Sequence, residues 1–269
     1  MTIQILIPTY KKSEDDLLSL CKKINLQSDA LIANQNNNNR KYELDYNGFH
    51  IHVIESDTVG VSVNRNILLR NFTADFGIFI DDDCEMVLNY PKIIDDTINK
   101  CPKAQAILFN GERQLVNGLI NKRKKSINIK HFQQISYAGC PGLGLRKIIQ
   151  QSNIKFDERI GTPNYLYAGE DSLFLKELIN NKINIFSEII PIFKVIEDVD
   201  NSSYFKGYDE QYIVNYGASG VMIHPKTHCL YTFYRLWRLK KRANGIPFKT
   251  IKILYKRGMK MGKELNRSK

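Results

Sequence analysis

The chain has 269 residues, 43% of them hydrophobic and 25% charged, which supplies an ample core and excludes a disordered chain. No apolar run approaches the ~18 residues of a membrane span. The formal net charge of +11 is confined to one end: Arg235 to Lys269 holds thirteen Lys or Arg against one acid, Glu264, so the rest is near neutral.

The N-terminus enters the apolar stretch IQILIP at once, without a basic region or cleavage site, and reads as a first strand rather than a signal peptide. Ile3 to Ile7 is that strand, followed by helical apolar spacing from Glu14 to Lys23. Ala30 to Ala33 reads as a second strand and His50 to Glu55 as a third, while QNNNNR at 35–40 looks like compositional bias. Ser62 to Asn71 is a helix, Phe76 to Ile80 a strand, Pro91 to Asn99 a helix and Ala104 to Phe109 a strand. Strands alternating with helices imply an α/β sheet, largely parallel, whose ligands bind at the carboxyl ends of its strands. After residue 111 the pattern loosens, and the basic stretch 117–131 reads as an exposed loop.

The five cysteines (Cys21, Cys84, Cys101, Cys140, Cys229) form no CxxC pair, and the five histidines no HExxH spacing. This argues against a disulfide framework or a zinc site and fits a reducing cytoplasm.

Four pieces can carry chemistry. FIDDDCEM at 79–86 sets Asp81, Asp82 and Asp83 directly behind a strand. Three adjacent carboxylates are either a solvated turn or the oxygen ligands of a hard cation, Mn2+ or Mg2+. GED at 169–171 opens a helix, where Glu170 and Asp171 either cap free N–H groups or supply a general base. In GVSVNRNILL at 60–69, Ser62 is a possible cap, and Arg65 pairs either with phosphate or with a surface carboxylate. The glycine-rich GCPGLG at 139–144 has neither dinucleotide nor P-loop spacing; it suits close approach of backbone to a ligand.

In the basic tail, Leu230, Phe233, Tyr234 and Trp237 share one helical face. A second helix after Pro247 sets Lys249, Lys252, Lys256, Lys260 and Lys263 on one side, with Phe248, Ile251, Tyr255 and Met259 adjoining. These apolar faces either meet an anionic membrane surface or pack on the preceding domain. No nucleic-acid fold signature accompanies the charge, so no nucleic-acid partner is expected.

Taken in order, ILIPTYKK, GVSVNRNILLRNFTADFGIFIDDD, GLGLRK and FDERIGTPNYLYAGED resemble a family 2 glycosyltransferase of the GT-A fold, over roughly residues 3–220. The resemblance implies a Rossmann-like α/β domain with a mixed, mostly parallel sheet. Residues 1–110 would bind the nucleotide sugar, 111–220 the acceptor, and 221–269 would form the basic helical tail. It further implies an inverting, metal-dependent hexosyl- or hexosaminyltransferase acting on a UDP-sugar and a saccharide or lipid-linked saccharide. Its place would be cell-surface polysaccharide assembly, peripheral at the inner face of the plasma membrane.

By this resemblance Pro8, Thr9 and Tyr10 hold the base, Arg65 and Asn66 border the nucleotide, Asp81 lies near the ribose or the metal, and Asp82, in the middle of the D-x-D motif, belongs to the nucleotide-sugar site. Asp83 and Asp81 bind the metal, with His224 as a candidate third ligand, and Asp171 beside Glu170 is the catalytic base. Two departures stand out. The second strand ends in Asn34 and Gln35 rather than an acid, and VIEDVDNSS, with Glu197 and Asp198, carries no histidine. A sugar-phosphate nucleotidyltransferase is the alternative enzyme, although PTYKKSEDD lacks that class's glycine-rich loop. A non-catalytic membrane-associated partner keeping the fold is the other alternative.

Overall fold

The computed structural model describes residues 1–114, 118–195 and 207–267. In chain order the elements are β1 (Ile3–Tyr10), α1 (Glu14–Ile24), β2 (Asp29–Gln35), β3 (Arg40–Tyr46), β4 (Phe49–Ser56), α2 (Val61–Asn71), β5 (Phe76–Phe79), β6 (Cys84–Met86) and α3 (Tyr90–Lys100). There follow β7 (Ala106–Arg113), β8 (Gly118–Leu119), β9 (Ile127–Ile129), β10 (Leu143–Arg146), α4 (Glu170–Asn180), β11 (Ile185–Val195), α5 (Glu210–Ile223), α6 (His228–Arg242) and α7 (Phe248–Arg267).

The strands lie in the order β3-β4-β2-β1-β5-β10-β7-β11-β6, with β8 beside β7 and β9 beside β11. β4, β2, β1 and β5 are mutually parallel, and so are β7 and β11. β10 runs antiparallel between β5 and β7, which makes the sheet mixed. The run ILI in β1 is apolar at every position because both faces are covered. Ile5 and Ile7 join Leu17, Leu20 and Ile24 of α1 and Ile94 of α3 on one face. Leu6 points the other way, into a layer with Leu68 and Leu69 of α2 and Phe174 and Leu178 of α4. Ser13 starts α1 with a capping box to Asp16, and Asn25 closes it in the left-handed conformation.

Three local readings change. The asparagine-rich segment leads into β3, which pairs antiparallel with β4 through a turn at Asn47 and Gly48, both at positive φ. Asn-Gly is the standard signal for such a turn, and its meaning here depended on recognising the half-polar KYELDY as an edge strand. The stretch 117–131 is not wholly an exposed loop: within its described part, β8 and β9 add to the sheet, and Asn121 and Ile129 are buried. GCPGLG leads into a central strand. The space a side chain would need at Gly144 is filled by the Phe76 ring, so this glycine serves sheet packing rather than a ligand.

The tail divides its two helices. α7 lays Ile251 and Tyr255, both buried, against α5, with Gly258 set against the Val214 backbone. α6 buries Leu239, while Leu230, Phe233, Tyr234 and Trp237 remain exposed. The packed-face reading therefore holds for α7 and fails for the stripe on α6. No helix among the described residues is long and apolar enough to cross a membrane.

Candidate active site

The carboxyl ends of β1, β2, β4 and β5 meet the start of α2, and the acidic turn lies there. β5 stops at Phe79, and the turn closes with the Cys84 N–H donating to the Asp81 carbonyl. Thr9, at the end of β1, donates its hydroxyl to Asp82 Oδ2 at 2.8 Å, and Lys23 Nζ donates to the Asp82 carbonyl. Pro8 is half-buried, Thr9 buried, and the Tyr10 ring stands exposed at the strand end. Partial burial and the charge of Asp81 push the Asp83 carboxyl above its ordinary range, against a weak bond that it accepts from the Cys84 thiol.

Arg65 is the hub. It sits on α2 with 5% of its side chain exposed and reaches across to three carboxylates. Nη2 donates to Asp81 Oδ1 at 3.2 Å, and Nη1 to Glu170 Oε1 at 3.2 Å and Asp171 Oδ1 at 2.6 Å. A buried guanidinium needs such partners. The Phe156 ring, stacked on Phe174 at 3.9 Å, backs it. Asp171 Oδ2 also accepts the Cys140 N–H at 3.0 Å, and its side chain remains one-fifth exposed. Burial raises the Asp171 pKa to about 7, against the pull of Arg65 and with the added repulsion of Glu170 and Asp81. One positive charge shared among three carboxylates leaves an excess of negative charge, and Asp171 relieves it by holding its proton longer.

Several residues land differently from their simplest readings. The ion pairs of Arg65 are buried, not on the surface. Glu170 and Asp171 turn toward Arg65, and α4 starts directly after Gly169, an N-cap with no side-chain hydrogen bond. Ser62 does not cap α2 but donates to the Ile160 carbonyl at 2.6 Å. Asn66 is fully engaged with Phe156 and Glu158, so it holds the 156–158 segment against α2. Asn34 spends its amide on both backbone groups of Lys12 and on Glu55 Oε1, while Gln35 clasps Gly60.

His224 caps the end of α5 with its ring near Tyr231 and Phe132, at 4.9 and 5.8 Å between centroids. It is not gathered with the aspartates. Glu197 and Asp198 lie outside the described residues.

Other participants were not singled out in the sequence. Asn64 is buried and donates to the Thr9 and Ala33 carbonyls, tying α2 to the ends of β1 and β2. Tyr137 lies close enough to Asp81 and Asp171 for both to raise its pKa, after burial. Glu55 on β4 brings a buried carboxylate beside Asn34, next to the strand end where an acid is missing. The available signal was the first two turns of α2: Ser62, Asn64, Arg65 and Asn66 make them too polar for a packed helix start unless the groups bond inward.

Among the described residues, no three of the His, Cys, Asp and Glu side chains form a ready-made metal site. The donors present are nevertheless all carboxylate oxygens, and Asp81, Asp82, Asp83, Glu170 and Asp171 outnumber the guanidinium of Arg65. That set fits a hard cation held by one or two carboxylates and completed by phosphate oxygens.

No family model and no curated protein matches the chain. Among solved structures it is similar to TarS of S. aureus. The fragment 1–349 aligns at a TM-score of 0.57 and 15% identity, over 82% of this chain and 65% of that one. Its complex with UDP-GlcNAc gives 0.58 and 15%, over 82% and 66%, and its complex with UDP gives 0.55 and 16%, over 82% and 65%. The chain thus spans just under two thirds of that fragment. At this identity the likeness shows a shared fold, the GT-A α/β architecture.

Proposed function

We propose that the chain is an inverting glycosyltransferase that moves a sugar from a nucleoside-diphosphate donor, a UDP-sugar, to an acceptor hydroxyl. The observation that carries this reading is Asp171: a solvent-reachable carboxylate with a pKa near neutral, across Arg65 from the acidic end of β5. A general base works best with its pKa near the operating pH. The acceptor O–H gives its proton to Asp171 as its oxygen forms a bond to the anomeric carbon. The bond from that carbon to the diphosphate breaks on the opposite face, and the nucleoside diphosphate leaves with the electron pair.

Arg65 and the Cys140 N–H hold Asp171 in place, and Glu170 shares the guanidinium. Tyr10 offers an exposed ring for the base beside Pro8 and Thr9, and Asp81 faces the ribose or metal. Asn66 holds the 156–158 segment beside Arg65, and Asp82 is fixed by Thr9. A diphosphate would add negative charge to an already negative site, so its binding calls for a divalent cation, Mn2+ or Mg2+. Asp83 and Asp81 would hold it, and it would supply Lewis-acid stabilisation of the leaving phosphates. His224 is left out of this set.

The UDP-GlcNAc and UDP complexes of TarS support UDP as the donor nucleotide. The acceptor in this reading is a saccharide or lipid-linked saccharide of a cell-surface polymer. The enzyme works peripherally at the inner face of the plasma membrane, with residues 230–269 toward the anionic surface. Calorimetric titration with UDP, GDP, dTDP and CDP, each with and without Mn2+, tests the donor site. Metal-dependent binding of UDP that disappears in Asp83→Asn is the expected result; a folded protein that binds none of the four overturns the reading.

A further inference from the structure

α6 carries a feature that the proposed transfer chemistry does not use. Leu230, Phe233, Tyr234 and Trp237 form a ridge along two turns, exposed by 78%, 81%, 52% and 46%. Among the described residues, none of the four joins the buried clusters that hold the C-terminal helices together. Leu239 is buried on the opposite side, and Arg235 donates to the Tyr216 carbonyl at 2.8 Å with its guanidinium 4.4 Å from that ring. A cluster of large apolar side chains this exposed marks a contact surface.

Its border is cationic. Lys241 Nζ lies 4.0 Å from the Trp237 ring centre and the Arg238 guanidinium 5.7 Å from that of Tyr234. Lys240 of α6 and Lys252 of α7 approach the same Phe248 ring, at 5.4 and 4.7 Å, so the exposed lysines of α7 begin at the edge of the ridge. The stretch from Arg235 to Lys269 carries a net charge of +12, from thirteen basic residues less Glu264.

We infer that α6 is a membrane-docking helix whose aromatic ridge enters the headgroup region of an anionic bilayer while the bordering lysines meet lipid phosphates. The pattern commits to lipid through its charge. A second copy would bring an equally cationic rim against this one, and like charges would oppose that contact. A bilayer instead offers apolar depth for the ridge, about 5–10 Å, and anionic groups at the level of the lysines. α7, packed on α5, is the rigid mount. The inference deepens the membrane placement proposed above by naming the element and the side chains that enter the bilayer; it stands apart from the sugar-transfer reading.

Trp237 is the only tryptophan in the chain, so its fluorescence reports on α6 alone. The full chain is mixed with vesicles of phosphatidylcholine and with vesicles containing phosphatidylglycerol, and followed by sedimentation and emission. The expected result is sedimentation with the anionic vesicles only, a blue shift of Trp237, and quenching by brominated acyl chains. Leu230→Ser with Phe233→Ser keeps the reporter and weakens partition by about tenfold or more, as expected when two apolar side chains lose burial. Lys240→Gln with Lys241→Gln weakens it by about fivefold per lysine and flattens the salt dependence.

Three outcomes overturn the inference. One is a folded protein that does not sediment with anionic vesicles. The others are a Trp237 shift that follows protein concentration without lipid, and an equal shift with single-stranded DNA. Nucleotide calorimetry on the same preparation separates the two readings, since UDP binding without vesicle binding sinks only this one.

Discussion

Replacing Asp171 with asparagine tests the electrostatics of the site directly. The folded protein holds this carboxyl at a pKa of about 7, against 3.8 as its ordinary value. Each unit is worth about 1.4 kcal/mol, so the ionised group costs the fold up to roughly 4 kcal/mol at neutral pH. The sign follows from proton binding. Between about pH 4 and pH 7 the folded chain binds the Asp171 proton more tightly than the unfolded chain, so ionisation erodes stability as pH rises through this window. The substituted amide does not titrate.

The stability of Asp171→Asn minus that of the wild type should therefore grow by up to roughly 4 kcal/mol from about pH 4 to pH 8, then level off. Urea midpoints for both proteins across that range measure the difference, with titrating groups remote from Asp171 cancelling. Sugar transfer should disappear in the variant, and in the wild type should rise with pH through about 7 as the base loses its proton. A stability difference that stays constant with pH, or narrows as pH rises, would refute the placement of Asp171 among excess carboxylates.

Two further expectations concern the frame. At Gly258 an added methyl would point into the Val214 backbone of α5, so Gly258→Ala should cost about 1–3 kcal/mol by overpacking; an unchanged melting temperature in calorimetry contradicts the packed mount for α6. Glu55 is pushed up by burial, but the hydrogen bonds from Arg40 and Asn38 outweigh this and leave it below the usual carboxylate range. Its stabilisation is present above the unfolded value of 4.5 and fades as pH falls through the folded value. Glu55→Gln should then cost about 1–3 kcal/mol at neutral pH, with a smaller deficit in acid; a deficit unchanged across urea titrations at both pH values rules the ion pair out as its cause.

The sequence by itself determined the alternation of strands and helices, because strands covered on both faces must be apolar at every position, as Ile5, Leu6 and Ile7 are. It also placed Asp81–Asp83 behind β5, since an apolar run followed by three carboxylates has to leave the sheet there. What fills the gap at Gly144 was not legible, because the sequence shows a missing side chain but not the Phe76 ring that occupies its place.

The tertiary structure alone decided what Arg65 does, because its partners Glu170 and Asp171 lie more than a hundred residues away and no local spacing encodes that contact. It likewise decided between the two apolar faces of the tail. Helical periodicity says that a face is apolar, not what covers it: α5 covers that of α7, while the ridge of α6 is left facing outward.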